Sequence, residues 1–96
     1  MIESARHKGL KEFLEKGRSG KVAPDLHKRL RPRLTALDSA KAMAELNQPG
    51  FDFHPLPGTK PLRYSIHVNG NWCLTFEWKN GKVMRLDLED YHGKKA

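Results

Sequence analysis

The order of patterns along this chain predicts an α+β fold, with two to three N-terminal helices packed on one face of a twisted, mostly antiparallel sheet. Three observations carry it. Leucines recur at helical spacing between Leu26 and Leu37. Apolar and polar residues alternate in four stretches after Gly50. Turn residues, Asn69-Gly70-Asn71 and Asn80-Gly81, separate the last three stretches. At 96 residues the chain suffices for one domain with one modest core.

Met1 to Ser4 is short and can add an edge strand. Ser4 suits the N-cap of a first helix over roughly Ala5 to Lys16, closed by Gly17. Leu10, Phe13 and Leu14 share one face of it, and Gly9 weakens it by roughly 1 kcal/mol relative to Ala. Pro24 and Asp25 open a second helix, which runs to about Leu37. Its stripe is Leu26, Leu30, Leu34 and Leu37, and Pro32 inside it predicts a kink or a split. The opposite face carries His27, Lys28, Arg29, Arg31 and Arg33, the densest positive patch in the chain. That patch reads equally as a solvated face or a phosphate-binding one. Asp38 or Ser39 can cap a third short helix ending at Leu46.

Phe51 to Leu56 predicts a short strand. In the next three strands the even-numbered residues are apolar: Leu62 to Val68, Trp72 to Trp78, and Met84 to Leu88. Matching those faces sets Val68 opposite Trp72, Ile66 opposite Leu74 and Tyr64 opposite Phe76. Across the second hairpin it sets Trp78 opposite Met84, Phe76 opposite Leu86 and Leu74 opposite Leu88. Both loops then need an odd number of residues, with a glycine bulge. The odd-numbered residues form a second face that reads as open and charged, with rows Arg63-Glu77-Arg85, Ser65-Thr75-Asp87 and His67-Cys73-Glu89. Such a face either binds a ligand or simply meets solvent.

Lys and Arg number 18 against 11 Asp and Glu, a net charge of +7 that favours an acidic partner such as nucleic acid. The single cysteine, Cys73, cannot form a disulfide within the chain and fits a reducing compartment. No signal-like apolar core and no membrane-length run is present, so a cytoplasmic location is expected.

Some residue types fit cleavage of RNA by its own 2′-hydroxyl. That chemistry needs a base for the hydroxyl proton, an acid for the leaving oxygen and donors around the crowded phosphate. Histidine, with an unperturbed pKa of roughly 6.5, serves either proton step, and no metal is required. His54, His92 and Asp90 are the candidates, with Tyr91 as donor or stacking platform and Arg63 or Arg85 as phosphate clamp. Each also has a plain structural reading. His54 can sit on the surface at a strand end, His92 can fray near the chain end, and Arg63 and Arg85 can both pair with Glu77. No cysteine, histidine and carboxylate spacing suggests a metal site.

Certain segments resemble a known family. They are His54-Pro55-Leu56-x-Gly58, Tyr64-Ser65-Ile66-x-Val68, Asn71-Trp72, Thr75-Phe76 and Glu89-Asp90-Tyr91-His92, with Met1-Ile2-x-Ser4, His7-Lys8-Gly9-Leu10-Lys11 and Glu45-Leu46-Asn47. Together they resemble the HigB branch of the RelE toxin superfamily over nearly the whole chain. The resemblance implies a RelE-like fold and a cofactor-free, ribosome-dependent endoribonuclease that cuts mRNA in the ribosomal A site. It implies a helix-turn-helix antitoxin of the HigA type and an operator DNA bound by the toxin–antitoxin complex. By position it makes His54, Asp90, Tyr91 and His92 the active site and puts Asn71 near the RNA. The chain departs from many relatives at Cys73, where they carry Arg, and at Pro57 and Asn69, where some carry a basic residue. Arg63 and Arg85 are then the expected phosphate ligands, and Lys28, Arg29 and Arg31 the expected grip on ribosomal RNA. Two rivals stay open: a non-catalytic RNA- or ribosome-binding inhibitor, and a gyrase-directed toxin on the same scaffold.

Overall fold

The computed structural model describes residues 1–90; Tyr91 and His92 lie outside the described residues. The element order is α1 (Lys8–Lys16), α2 (Pro24–Ser39), a single 3-10 turn (Met43–Leu46), then β1 (His54–Leu56), β2 (Arg63–Asn69), β3 (Trp72–Lys79) and β4 (Lys82–Asp90). The four strands form one antiparallel sheet in the order β1-β2-β3-β4. Leu10 and Phe13 of α1 and Leu26, Leu30, Leu34 and Leu37 of α2 bury against Ile66, Leu74, Phe76 and Leu86 of the sheet. The α+β expectation holds. Among the described residues no helix is long and apolar enough to cross a membrane.

α1 begins three residues later than the sequence predicts. Ser4 is not its cap, because the segment before the helix pairs in parallel with the edge of β4. Val83 N donates to Met1 O, Glu3 N to Val83 O, Leu86 N to Ser4 O and Arg6 N to Leu86 O, at 2.7–3.0 Å. Backbone donors committed to that ladder are not available to a helix. His7 caps α1 instead, its Nδ1 accepting from Leu10 N at 3.2 Å. The helix's rotation leaves Leu14 42% exposed, contrary to its expected place on the buried face.

α2 is not split at Pro32. That residue is exposed, so the Lys28 carbonyl that loses its amide partner faces the solvent side. The helix also runs on through Asp38 and Ser39, which therefore do not cap a third helix. The chain then makes one tight turn, where the Glu45 carboxylate accepts from Ala42 N at 3.2 Å. Arg33 leaves the predicted positive face altogether. It is 7% exposed, its Nε donates to His67 O at 2.6 Å, its Nη2 donates to Gly50 O at 3.1 Å, and its guanidinium lies 4.9 Å over the Phe51 ring. It is a strut between α2, the end of β2 and the loop before β1.

The hairpins solve the face-matching problem differently from the expectation. Each loop holds two residues, an even number. Lys79 pairs with Lys82 around Asn80 (φ 53°) and Gly81 (φ 75°), the pair of positive φ angles that a tight hairpin turn requires. That turn sets Trp78 opposite Val83, one residue out of the predicted register. The mismatch is absorbed inside β4, where Arg85 and Leu86 together oppose Phe76 and Arg85 takes φ 48°. Beyond the bulge the predicted register returns, with Leu74 opposite Leu88 and Cys73 opposite Glu89. The bulge also turns both Val83 and Leu86, three apart, into the core. In the first hairpin Asn69, not Val68, pairs with Trp72, and Val68 is the extra residue. Ile66 opposite Leu74 and Tyr64 opposite Phe76 are as predicted.

Candidate active site on the polar sheet face

His54 begins β1, which is shorter than the predicted Phe51-to-Leu56 strand because Asp52 takes a left-handed φ of 47°. Phe51 before the bend is buried, and its carbonyl accepts from His67 N at 2.7 Å. Phe53 after it stacks on Tyr64, with centroids 5.6 Å apart and planes at 16°. These anchors on either side of the bend bring the Asp52 carbonyl to within 2.7 Å of His54 Nδ1. A carbonyl can only accept, so Nδ1 carries the hydrogen. In the neutral ring Nε2 is then the acceptor. Among the described residues no protein group occupies Nε2, and the ring is half-buried. Nothing about Asp52 in the sequence marked this role; an aspartate between two aromatics just after Pro49-Gly50 was the available hint.

The register defines what His54 shares a row with. It is opposite Ser65, which is opposite Thr75, which is opposite Asp87. Asp90 ends β4 opposite Trp72, and Asn71 is the exposed turn residue just before Trp72, so those two candidates lie at one end of the sheet. Asp90 is three strand spacings and three residues from His54, about 17 Å between Cα positions in a flat sheet. The Tyr91 and His92 expectations fall outside the described residues.

The polar face is not open, as the sequence suggested. Ser65, Cys73, Thr75 and Glu77 are all buried on it, and Arg63 is 7% exposed. The bulge supplies the reason. With Arg85 out of the regular ladder, its carbonyl accepts from Arg63 Nη2 at 2.9 Å. The same Arg63 donates to Thr75 Oγ1 and Glu77 Oε2, each at 3.1 Å, and so lies flat across the face. Thr75 Oγ1 in turn donates to Glu89 Oε2. Arg63 is thus committed to internal bonds, and the ion-pair reading of it prevails over the phosphate clamp. Arg85 is different: Nη1 reaches Glu77 Oε1 at 2.8 Å, yet its side chain stays 54% exposed. Cys73 is fully buried, which removes it as a surface nucleophile. Ser65 Oγ is buried and has no hydrogen-bond partner among the described residues.

On the far side of the helices, Lys28, Arg29 and Arg31 are exposed as expected. Arg31 also bonds Gly17 O at 3.1 Å and lies over the Phe13 ring. His27 is not part of that charged surface. Its Nε2 lies 3.2 Å from Ser19 O and 3.1 Å from Val22 O, and its ring meets Phe13 edge-on. Burial and the nearby Arg29 charge push the Arg33 guanidinium below its ordinary value. Among the described residues no group of three or more His, Cys, Asp or Glu is placed to hold a metal ion.

A helix layer on one face of a four-stranded antiparallel sheet is an α+β arrangement consistent with the RelE-like class of toxins. The family model for the RelE-like toxin of type II toxin–antitoxin systems, HigB, covers residues 3–92, and the chain belongs to that HigB-like toxin family. Membership makes it the toxin half of a pair that includes an antitoxin. A curated relative, Endoribonuclease HigB of Proteus vulgaris, is 45% identical over 93 residues, which span 96% of this chain and 100% of that protein.

Proposed function

We propose that this chain is an endoribonuclease that cuts mRNA in the ribosomal A site and so halts translation in the bacterial cytoplasm. The observation that carries the reading is the His54 imidazole, whose Nδ1–H is fixed on the Asp52 carbonyl while Nε2 remains an acceptor at the rim of the sheet. A 45% identical relative that bears the name endoribonuclease supports it.

In this mechanism His54 Nε2 takes the proton from the RNA 2′-hydroxyl. The resulting alkoxide attacks the adjacent phosphorus, and the P–O5′ bond breaks. His92 or Asp90 returns a proton to the departing 5′-oxygen, leaving a 2′,3′-cyclic phosphate and a free 5′-hydroxyl. Tyr91 and Asn71 donate to or stack against the nucleotides, and Arg85 holds a phosphate elsewhere on the same strand. The step balances without a cofactor. Lys28, Arg29 and Arg31, exposed on the other side of the molecule, grip ribosomal RNA by its phosphates. The antitoxin in this reading is a helix-turn-helix protein of the HigA type, and the complex of the two binds operator DNA.

Induction in bacteria tests the reading. Wild-type chain arrests growth and creates new mRNA 5′ ends that depend on translation, and His54→Ala or His92→Ala abolishes both while the protein stays folded. Growth arrest without new ends contradicts the proposal and supports a binding inhibitor. DNA-damage signalling with intact mRNA points to gyrase instead.

A further inference from the structure

We infer that Arg6 and Arg85 form a phosphate-binding subsite for single-stranded RNA, with buried Glu77 as the positioning residue that holds their guanidinium groups side by side. The substrate class rests on the RNA reading above.

Three guanidinium groups surround one carboxylate. Arg63 Nη1 lies 3.1 Å and Arg6 Nη2 3.9 Å from Glu77 Oε2, while Arg85 Nη1 lies 2.8 Å from Oε1. The Glu77 and Arg63 side chains are 8% and 9% exposed and neutralise each other inside the structure. Arg6 and Arg85 remain 50% and 54% exposed, so two positive charges stand beside one anchor, with no second carboxylate paired to either among the described residues. Bringing like charges together is unfavourable, and an anion from outside relieves it. A phosphodiester accepts from two such planar forks. Asp87 and Glu89 lie farther along β4, opposite Thr75 and Cys73, and Glu89 is bonded to Thr75.

Arg85 sits at the bulge of β4 with φ 48°, a conformation that suits glycine or asparagine. The N-terminal segment fixes the geometry from the other side. Arg85 N donates to Ser4 Oγ at 2.9 Å, and Arg6 N donates to Leu86 O at 2.7 Å. That short parallel pairing is what brings Arg6, remote in sequence, beside Arg85. Glu77 lies two strands from β1 and two residues from the His54 row, roughly 12 Å from His54 between Cα positions. One short RNA strand can reach both.

Fluorescence anisotropy with a short 2′-O-methyl RNA, which cannot be cleaved, reads the subsite directly across a salt series. The Arg6→Gln/Arg85→Asn double variant, whose second change suits the left-handed backbone, should weaken binding about tenfold at low salt. Its salt slope should flatten by about 1.4, two phosphate contacts at roughly 0.7 each. Arg85→Lys should keep the slope. Glu77→Gln tests positioning, because it makes the cluster more positive and yet should bind RNA more weakly. Glu77→Asp, which keeps the charge, should also weaken binding and serves if the Gln variant does not fold. Unchanged affinity and slope in the double variant overturn the subsite, and tighter binding by a folded Glu77→Gln overturns the positioning role. The nuclease reading fails separately: if His54→Ala still generates new mRNA 5′ ends, the assigned chemistry is wrong while a flattened salt slope leaves the subsite standing.

Discussion

Replacing Arg33 by alanine should cost far more than its place among surface-type residues on α2 suggests. The substitution leaves the His67 and Gly50 carbonyls without their guanidinium donor and strips the cation from the Phe51 ring. Hydrogen bonds to a charged group contribute about 1.5–3 kcal/mol each, and the ring contact about 0.5–2 kcal/mol. The cost of burying the charge opposes them; its sign shows in the lowered Arg33 titration. The net loss should be about 3–4 kcal/mol, a large part of the stability of a domain this size. Thermal unfolding followed by circular dichroism should show a Tm lower by about 12–30 °C. Arg29→Ala is the control. It removes an exposed charge that opposes Arg33, so it should be neutral or slightly stabilising. If Arg33→Ala unfolds within a few degrees of wild type, water satisfies both carbonyls and the strut assignment is wrong.

Gly9→Ala, which in an open helix stabilises by about 1 kcal/mol, should instead destabilise by about 1 kcal/mol or more. An added Cβ would meet His7 Cε1 at 2.8 Å and Val22 Cγ2 at 2.9 Å; a chemical denaturation midpoint checks it, and a raised midpoint refutes the contact argument. The Ser19 hydroxyl, donating to Glu12 Oε1 at 2.6 Å, is the main cause that holds the Glu12 carboxyl below its ordinary range. Its contribution is therefore present above the unfolded value and lost as pH falls through the lower folded one. Ser19→Ala should move the Glu12 titration, followed by carboxyl NMR, back upward; no movement assigns the shift elsewhere. Arg85→Val should destabilise by about 1–3 kcal/mol, because a β-branched residue resists φ near +50°, whereas Arg85→Asn should stay within about 1 kcal/mol. Equal Tm values for the two would mean the bulge relaxes.

The leucine stripe of α2, the alternation of the last three strands and the turn residues made the α+β architecture legible. Local periodicity was enough for those elements. The register was legible only in part, because two requirements conflict. The Asn80-Gly81 turn demands Lys79 opposite Lys82, while the apolar faces demand Leu74 opposite Leu88. A bulge at Arg85 meets both demands, and its trace in the sequence is that Val83 and Leu86, three apart, are both apolar. That Met1 to Ser4 could add an edge strand was legible, but its partner β4, some eighty residues away, and its extension to Arg6 were not. For the same reason Arg33 read as one more cation in a basic helix: the carbonyls it serves belong to His67 and Gly50. Of the candidate site, His54 was proposed from its segment, but the hydrogen bond that sets its tautomer comes from the bend at Asp52. Arg63 and Arg85 were rightly paired with Glu77, and the difference in their exposure emerges only from packing.

The most direct test of the chemistry uses a ribosome-bound mRNA with one 2′-deoxy nucleotide at the cleaved position. If His54 acts by taking the 2′-hydroxyl proton, wild-type chain cuts the all-ribose message to a 2′,3′-cyclic phosphate and leaves the deoxy message intact. Cleavage of the deoxy message at the same bond contradicts that role for His54.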